Sequence, residues 1–443
     1  METKAKVLGE IVVHKEYVSA NMLDAYTTLL PIYGTEFKKK IKNYRKDKDY
    51  YYFPRNLLKF RKYCDNLFEY EVVRGREVLF DMIYPPLPHQ VSPIDKIISL
   101  FKSNLNILFK AETRYGKTYS LVNIISHLKT NTLILVDKVL LVDQFISDTK
   151  NYSNAKVGKL TKEYDNTLDI YVCTFQFFHA NLALLERVKN DFGFIAVDEC
   201  HSLTANSYRR ILYKFNSRYR LGMSATPTAK QRELTSLITD SFGKVKVIGK
   251  YEGIQVAVYQ YTLPYHYQFD PARLPAEQIV EYFLNPKVVE HITALLENIK
   301  QRKVKVLLAT GSKELQNFYY KIAIDLGFTP AIMNSEAKNV KRKDENFIKF
   351  KNNELDMFIG LNQLMKGVSA PIEIIVDMFA VGTEENVEQL VGRARTPFEG
   401  RKDASIIQLL SKFKTSKNRK VEQFLKALNF TDFKGDWNET RTN

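Results

Sequence analysis

The stretch NILFKAETRYGKT, Asn106 to Thr118, reads as an apolar strand that runs through a turn into a helix. In that setting backbone N–H groups and a helix N-terminus face an anion. Gly116, Lys117 and Thr118 stand at the turn's exit in the order of a phosphate-binding loop. Such a lysine reaches the β and γ phosphates of a nucleotide, and the following hydroxyl binds Mg2+. The pattern G-x-x-x-x-G-K-[ST] is incomplete, because Ala111 replaces its first glycine and Arg114 and Tyr115 fill a turn that is commonly small. A surface turn that happens to spell GKT is the plain alternative. The neighbouring sequence decides between them.

Working outward, TLILVD (132–137), DIYVCT (169–174), FGFIAVDE (192–199) and RLGMSAT (220–226) are short apolar runs without polar alternation. Such runs suit parallel strands covered on both faces, and helical spacing in KTYSLVNIISHLKT (117–130) supplies the cover. The pattern restarts after a seam near Lys250–Gly253, with VAVYQYTL, VKVLLATGS (304–312), DMFIGL (356–361) and IEIIVDMFA (372–380). The expected fold is therefore α/β, with two RecA-like parallel-sheet domains at 86–252 and 253–443 and a small mixed N-terminal domain at 1–85. The prolines of YPPLPHQVSP close that first domain, and the C-terminal tail is basic.

The chain has 443 residues, enough for two or three domains, and 45% hydrophobic with 26% charged residues suits a soluble globular protein. No apolar run reaches the roughly 18–20 residues of a membrane span. The N-terminus lacks a signal-sequence pattern, and the three cysteines lack metal spacing. Together they predict a reduced, cytoplasmic setting, the host cytoplasm if the chain is phage-encoded. A net charge of +16 favours a polyanionic partner, nucleic acid ahead of membrane.

Asp198 and Glu199, in AVDECH, leave the apolar strand 192–197 side by side, which is costly without a cation nearby. Asp198 suits Mg2+, directly or through water, and Glu199 suits the base that orients an attacking water. MSATPT (223–228) follows the next strand, and VEQLVGRARTPF (387–398) lies in the second half. There Arg393 and Arg395 could act as fingers on a γ-phosphate when the halves close.

In this order, with His89–Gln90, ILVDKVLLVDQF, VCTFQFF, VLLATGSKE and GLNQLMKGVSAP between them, these segments resemble the superfamily 2 helicases of the DExH type over roughly residues 86–410. The resemblance implies ATP and Mg2+ as cofactors. It makes Gln90 the adenine reader, His201 and Gln389 couplers of ATP state to closure, and Ser224 and Thr226 coupling residues. A variant loop T-x-x-G-K-[TS] from Thr113 is familiar in that superfamily, so Thr113, Arg114, Tyr115, Gly116, Lys117 and Thr118 form the expected nucleotide loop. Lys138, Thr174, Gln176, Thr310 and Ser312 become candidate nucleic-acid contacts. The compact core, small basic N-terminal module and KGVS turn (366–369) resemble the UvsW-type branch-migration helicases of tailed phages. That likeness implies branched or forked DNA as partner, in recombination, repair or replication. Ser369, where many relatives carry aspartate, argues against a DEAD-box-like RNA helicase. An RNA helicase and a duplex translocase without strand separation stay open as alternatives. In the N-terminal module, Lys38, Lys39, Lys40, Lys42, Arg45 and Lys46 beside Tyr50–Phe53 offer phosphate contacts and base stacking, or else a solvated face beside a core strand.

Overall fold

The computed structural model describes residues 5–32, 36–63, 68–229, 232–263, 265, 275–333, 345–346, 348–350, 352–361, 372–378, 390–395, 403–410 and 433–434. The chain divides into two compact units, Met1–Tyr251 and Glu252–Asn443. Among the described residues no helix is long and apolar enough to cross a membrane.

The first unit begins with β1 (Ala5–Val7), β2 (Ile11–His14), β3 (Thr27–Pro31), β4 (Lys38–Lys42), β5 (Arg45–Lys46), β6 (Tyr50–Phe53) and β7 (Phe68–Tyr70), with helices α1 (Ala20–Ala25) and α2 (Leu57–Phe60). Five strands form a sheet in the order β5-β6-β2-β1-β7, and the lysine run is β4, paired antiparallel with β3. The tyrosine run is β6, whose alternation decides each ring's role. Phe53 is sealed against Tyr26 and Phe60, while Tyr52 donates its hydroxyl to Asp47 at 2.6 Å beneath the Arg45 guanidinium. Tyr50 remains exposed. Most of this run is core and brace rather than a stacking platform.

Buried polar contacts fasten this small sheet to the elements that follow. Arg55 is sealed from solvent and donates to the Leu8 and Ser217 carbonyls and to Asn106 Oδ1. Asp240 accepts from Asn43 at 2.9 Å and from Lys59 at 2.5 Å. Gly9 allows backbone to meet backbone: a Cβ there would lie 2.1 Å from the Tyr213 carbonyl oxygen.

The main sheet of this unit is β8 (Asn106–Ala111), β9 (Thr132–Val136), β10 (Val157–Lys159), β11 (Ile170–Thr174), β12 (Phe194–Val197), β13 (Tyr219–Ser224) and β14 (Val245–Gly249). The order is β10-β11-β9-β12-β13-β8-β14, parallel throughout. Successive residues of a strand point to opposite faces, and both faces are apolar here. Ile107, Phe109, Ile134 and Val136 pack on α3 (Pro88–Phe101), α4 (Lys117–Leu128) and α5 (Val139–Tyr152). Leu108, Leu133 and Leu135 pack on α6 (Phe175–Ala180), α7 (Leu182–Val188), α8 (Asn206–Lys214) and α9 (Thr235–Phe242). Each such fully buried side chain stabilises the fold by about 1.5–3 kcal/mol relative to exposure.

The second unit repeats the plan. Its strands are β15 (Gln255–Thr262), β16 (Val306–Thr310), β17 (Pro330–Met333), β18 (Met357–Leu361), β19 (Ile374–Asp377), β20 (Asp403–Leu410) and β21 (Phe433–Lys434), in the order β17-β18-β16-β19-β20-β15-β21. Val306 and Leu308 pack with Ile292 and Leu296 of α11 (Pro286–Gln301), which follows α10 (Pro275–Leu284), and with Tyr319 of α12 (Lys313–Asp325). Leu307 faces the other way, toward Leu390, Val391 and Ala394. Two parallel-sheet α/β bodies and a small mixed N-terminal sheet are the fold class read from the sequence.

Candidate nucleotide site

In the first unit β13 lies between β12 and β8, so three neighbouring strands release their loops side by side at their carboxyl ends. β8 supplies the loop 112–116 and the head of α4, β12 supplies Asp198 and Glu199, and β13 supplies Ser224. Convergence of residues more than a hundred positions apart follows from that strand order.

The loop holds its shape with two left-handed residues. Gly116 has φ 93° and Arg114 has φ 67°; the second is a non-glycine, at a cost of roughly 1–2 kcal/mol. Buried Gln90 braces the loop from behind, donating Nε2 to the Tyr115 carbonyl at 3.0 Å and accepting from Leu87 N at 3.0 Å. A Cβ on Gly116 would meet Gln90 Nε2 at 2.3 Å, so this position excludes a side chain on two counts. Tyr115 turns its ring into the core against Phe109 and Gly249, so its backbone is what it offers the loop. The Arg114 guanidinium lies near Asp148 and Tyr251, and burial lowers its pKa. Thr113, Lys117 and Thr118 are half-buried at the exit.

Lys117 Nζ lies 3.3 Å from Glu199 Oε1. Glu199 Oε2 accepts from Ser224 Oγ at 3.0 Å and lies 3.3 Å from His201 Nδ1. Ser224 Oγ in turn accepts from Thr226 N at 3.1 Å and lies 3.1 Å from His201 Nδ1. Burial alone would raise the Glu199 pKa, but Lys117, His201 and Ser224 together hold it well below the usual carboxylate range. Asp198 shows the opposite balance: burial, then the Glu199 charge, push it up to about 6. Its Oδ1 is sealed from solvent and accepts no hydrogen bond from the described residues. An orphaned buried carboxylate oxygen fits a divalent cation. Among the described residues no group of three or more His, Cys, Asp or Glu could hold a metal alone. Phosphate and water oxygens would have to complete the shell, as is usual for Mg2+.

Residues 83–229 match the family model described as Type III restriction enzyme, res subunit. A protein of Acanthamoeba polyphaga mimivirus named as an ATP-dependent RNA helicase is 31% identical over 142 residues, 32% of this chain and 27% of that one. The DNA 3'-5' translocase XPB2 of Sulfurisphaera tokodaii is 25% identical over 284 residues, 63% of this chain and 62% of that one. The chain thus spans less than two thirds of the length of these curated relatives. A fragment structure named as an HsdR subunit of a type I restriction enzyme from Vibrio vulnificus YJ016 superposes with a TM-score of 0.57 at 17% identity, covering 78% of this chain and 66% of that one. That likeness speaks to the fold. The matches support a superfamily 2 helicase.

Other residues expected from the helicase resemblance fall in different surroundings. Lys138 is half-buried at the head of α5, and Gln176 Nε2 donates to the Asp137 carbonyl at 3.1 Å, so both sit at the carboxyl ends of the adjacent strands β9 and β11. Thr174 is buried and caps α6, its Oγ1 accepting from Phe177 N. Ser312 caps α12 by accepting from Leu315 N, and Thr310 is sealed in the second unit's core. Here the hydroxyls of Thr174 and Ser312 cap helices and that of Thr310 is buried, because a hydroxyl at a strand's end meets its own backbone first. Arg393 is half-buried and Arg395 buried, within and just after the helical turn 390–394. Gln389 lies outside the described residues. Sequence reasoning missed Glu112, whose carboxylate accepts from Tyr251 N at 3.2 Å and ties the loop to the end of the first unit. Nothing local marks that pairing across 139 positions.

Proposed function

We propose that this chain is an ATP-dependent, nucleic-acid-stimulated DNA helicase or translocase that remodels branched DNA, by branch migration at forks or four-way junctions. The observation that carries the motor reading is the cluster Lys117–Glu199–Ser224–His201 beside the orphaned Asp198 oxygen.

Lys117 is paired with Glu199. An arriving triphosphate offers Lys117 a stronger partner, and the lysine moves to the phosphate oxygens. Glu199 is then released from that cation and still oriented by Ser224 and His201. It takes a hydrogen bond from the attacking water and accepts its proton as the γ-phosphate leaves. Thr118 and Asp198 would hold Mg2+, which would supply charge neutralisation on the phosphates. Gln90 would read adenine with the hydrogen-bonding capacity left by its contacts to the Tyr115 carbonyl and Leu87 N. Arg393, the more exposed of the two arginines, would supply the finger, worth roughly 10³-fold or more in rate where such cations act, and Gln389 would couple it to closure. Lys138 and Gln176 would touch the phosphates of one strand, with little sequence preference.

The branched-DNA substrate rests on the resemblance, the +16 charge and the basic N-terminal strands. The likeness to a protein named as an RNA helicase keeps RNA as the second reading. The test compares ATP turnover and strand exchange on single strands, forks, four-way junctions and RNA at one salt concentration, since counterion release changes affinity steeply. Strongest stimulation and strand exchange by forks or junctions is expected. Stimulation by RNA alone would reverse the substrate, and no turnover with any nucleic acid would end the motor reading.

A further inference from the structure

The geometry points to a second anionic site on the first unit, a basic cavity that takes the phosphodiester backbone of a nucleic-acid strand. The inference rests on the reading of the chain as a nucleic-acid motor and adds to it where a strand is held.

The cavity encloses about 320 Å³ and is ringed by Arg55, Arg61, Lys102, Arg218 and Lys246, with no aspartate or glutamate in its wall. It opens where Asn106 begins β8 and Arg218 precedes β13, at the amino ends of the strands. The phosphate loop leaves the opposite end of β8, a six-residue strand about 20 Å long. The two sites are therefore distinct.

The cations lack their usual answers. Among the described residues Arg61, Lys102, Arg218 and Lys246 form no ion pair. Lys246 bonds only to Asn104 Oδ1, and burial lowers its pKa. Arg218 Nε is sealed from solvent without a hydrogen-bond acceptor. Arg55, whose own bonds go to carbonyls and Asn106, is fixed beneath them. Five like charges around one void repel each other, and a polyanion relieves that repulsion while releasing its own counterions.

Size and wall chemistry choose the ligand. A lone phosphate is best held by donors closing on one point, whereas these cations come from four separate elements around a void in the range of ligand sites, about 300–1,000 Å³. The rim adds exposed Leu58 and Tyr70, an apolar edge and a ring against which a sugar or base can rest. One nucleotide unit of a longer strand satisfies both.

The test uses the full chain with Arg61→Glu and Lys102→Glu combined. Both side chains are exposed, so the fold tolerates reversal, which circular dichroism checks. Fluorescence anisotropy with a labelled single strand and a fork, over a salt series, should show affinity reduced at least roughly tenfold. Two lost phosphate contacts should make the log–log salt slope shallower by about 1.5. ATP turnover without nucleic acid should stay at the wild-type level, and Arg61→Lys with Lys102→Arg should retain binding. Inorganic phosphate should displace the strand no better than chloride at equal ionic strength. Unchanged affinity and slope in the charge-reversed variant would overturn this site while leaving the motor reading intact. Displacement by phosphate well beyond chloride would overturn the nucleic-acid assignment. Failure of the unmodified chain to bind any strand would remove the motor reading and this site together.

Discussion

Replacing Gly116 by alanine tests the loop geometry on which nucleotide binding depends. Gly116 sits at φ 93°, where an L side chain costs roughly 1–2 kcal/mol. The new Cβ would also lie 2.3 Å from Gln90 Nε2. Gln90 is 3% exposed and held at both ends, by the Tyr115 carbonyl and by Leu87 N, so it can yield only by giving up those bonds. Each is worth roughly 0.5–1.5 kcal/mol. The loop's binding-competent form should therefore lose about 2–5 kcal/mol, or roughly 30- to 3,000-fold in nucleotide affinity. Titration of a fluorescent ATP analogue reads this directly. Adding Gly116→Ala to Gln90→Ala should cost less than Gly116→Ala costs alone, because the steric conflict vanishes with the amide. Gly116→Ala binding within threefold of the wild type, or strictly additive losses in the double variant, would refute the brace between Gln90 and the loop.

Three further outcomes follow from the same geometry. Ser224→Ala removes the hydroxyl that donates to Glu199 Oε2, a bond to a charged group worth about 1.5–3 kcal/mol; turnover should fall roughly 10- to 100-fold with little change in KM for ATP, and an unchanged kcat would detach Ser224 from the chemistry. Arg393→Ala should lower kcat and leave Tm in place, whereas Arg395→Ala, truncating a buried side chain, should lower Tm; the reverse pattern would exchange their roles. Gly9→Ala drives a Cβ to 2.1 Å from the Tyr213 carbonyl oxygen and should destabilise the first unit by about 1–3 kcal/mol, at about 2–4 °C of Tm per kcal/mol. A melting curve matching the wild type would show that the N-terminal sheet does not need that close approach.

The parallel strands were readable because burial on both faces leaves an unbroken apolar run: TLILV and FIAV could be little else. The candidate loop and acidic pair stood out in the sequence because such chemistry fixes residue type and chain order, and the fold brings Lys117 to Glu199. Strands β10 (VGK) and β14 (VKVIG) escaped, being an edge of three residues and a run with a lysine inside it. The basic and aromatic N-terminal stretch could not be divided from sequence: YYYF favours a strand by composition, whereas KKKIK became one through pairing with β3. Thr174 and Ser312 carry the same hydroxyl whether they cap a helix or touch a ligand, and only the fold shows the cap. Arg55 looks like a surface cation in sequence. Its burial depends on the Ser217 carbonyl, 162 residues away.

The central claim is that Glu199, aimed by Ser224 and His201 once Lys117 has turned to the phosphates, activates the water that cleaves ATP. Single-turnover hydrolysis by Glu199→Gln, with ATP binding measured on the same sample, tests it most directly. The amide keeps the shape and removes the base, so binding should stay within a few-fold while cleavage falls by roughly 10²–10⁴. Cleavage at or near the wild-type rate, with ATP bound, would contradict the account.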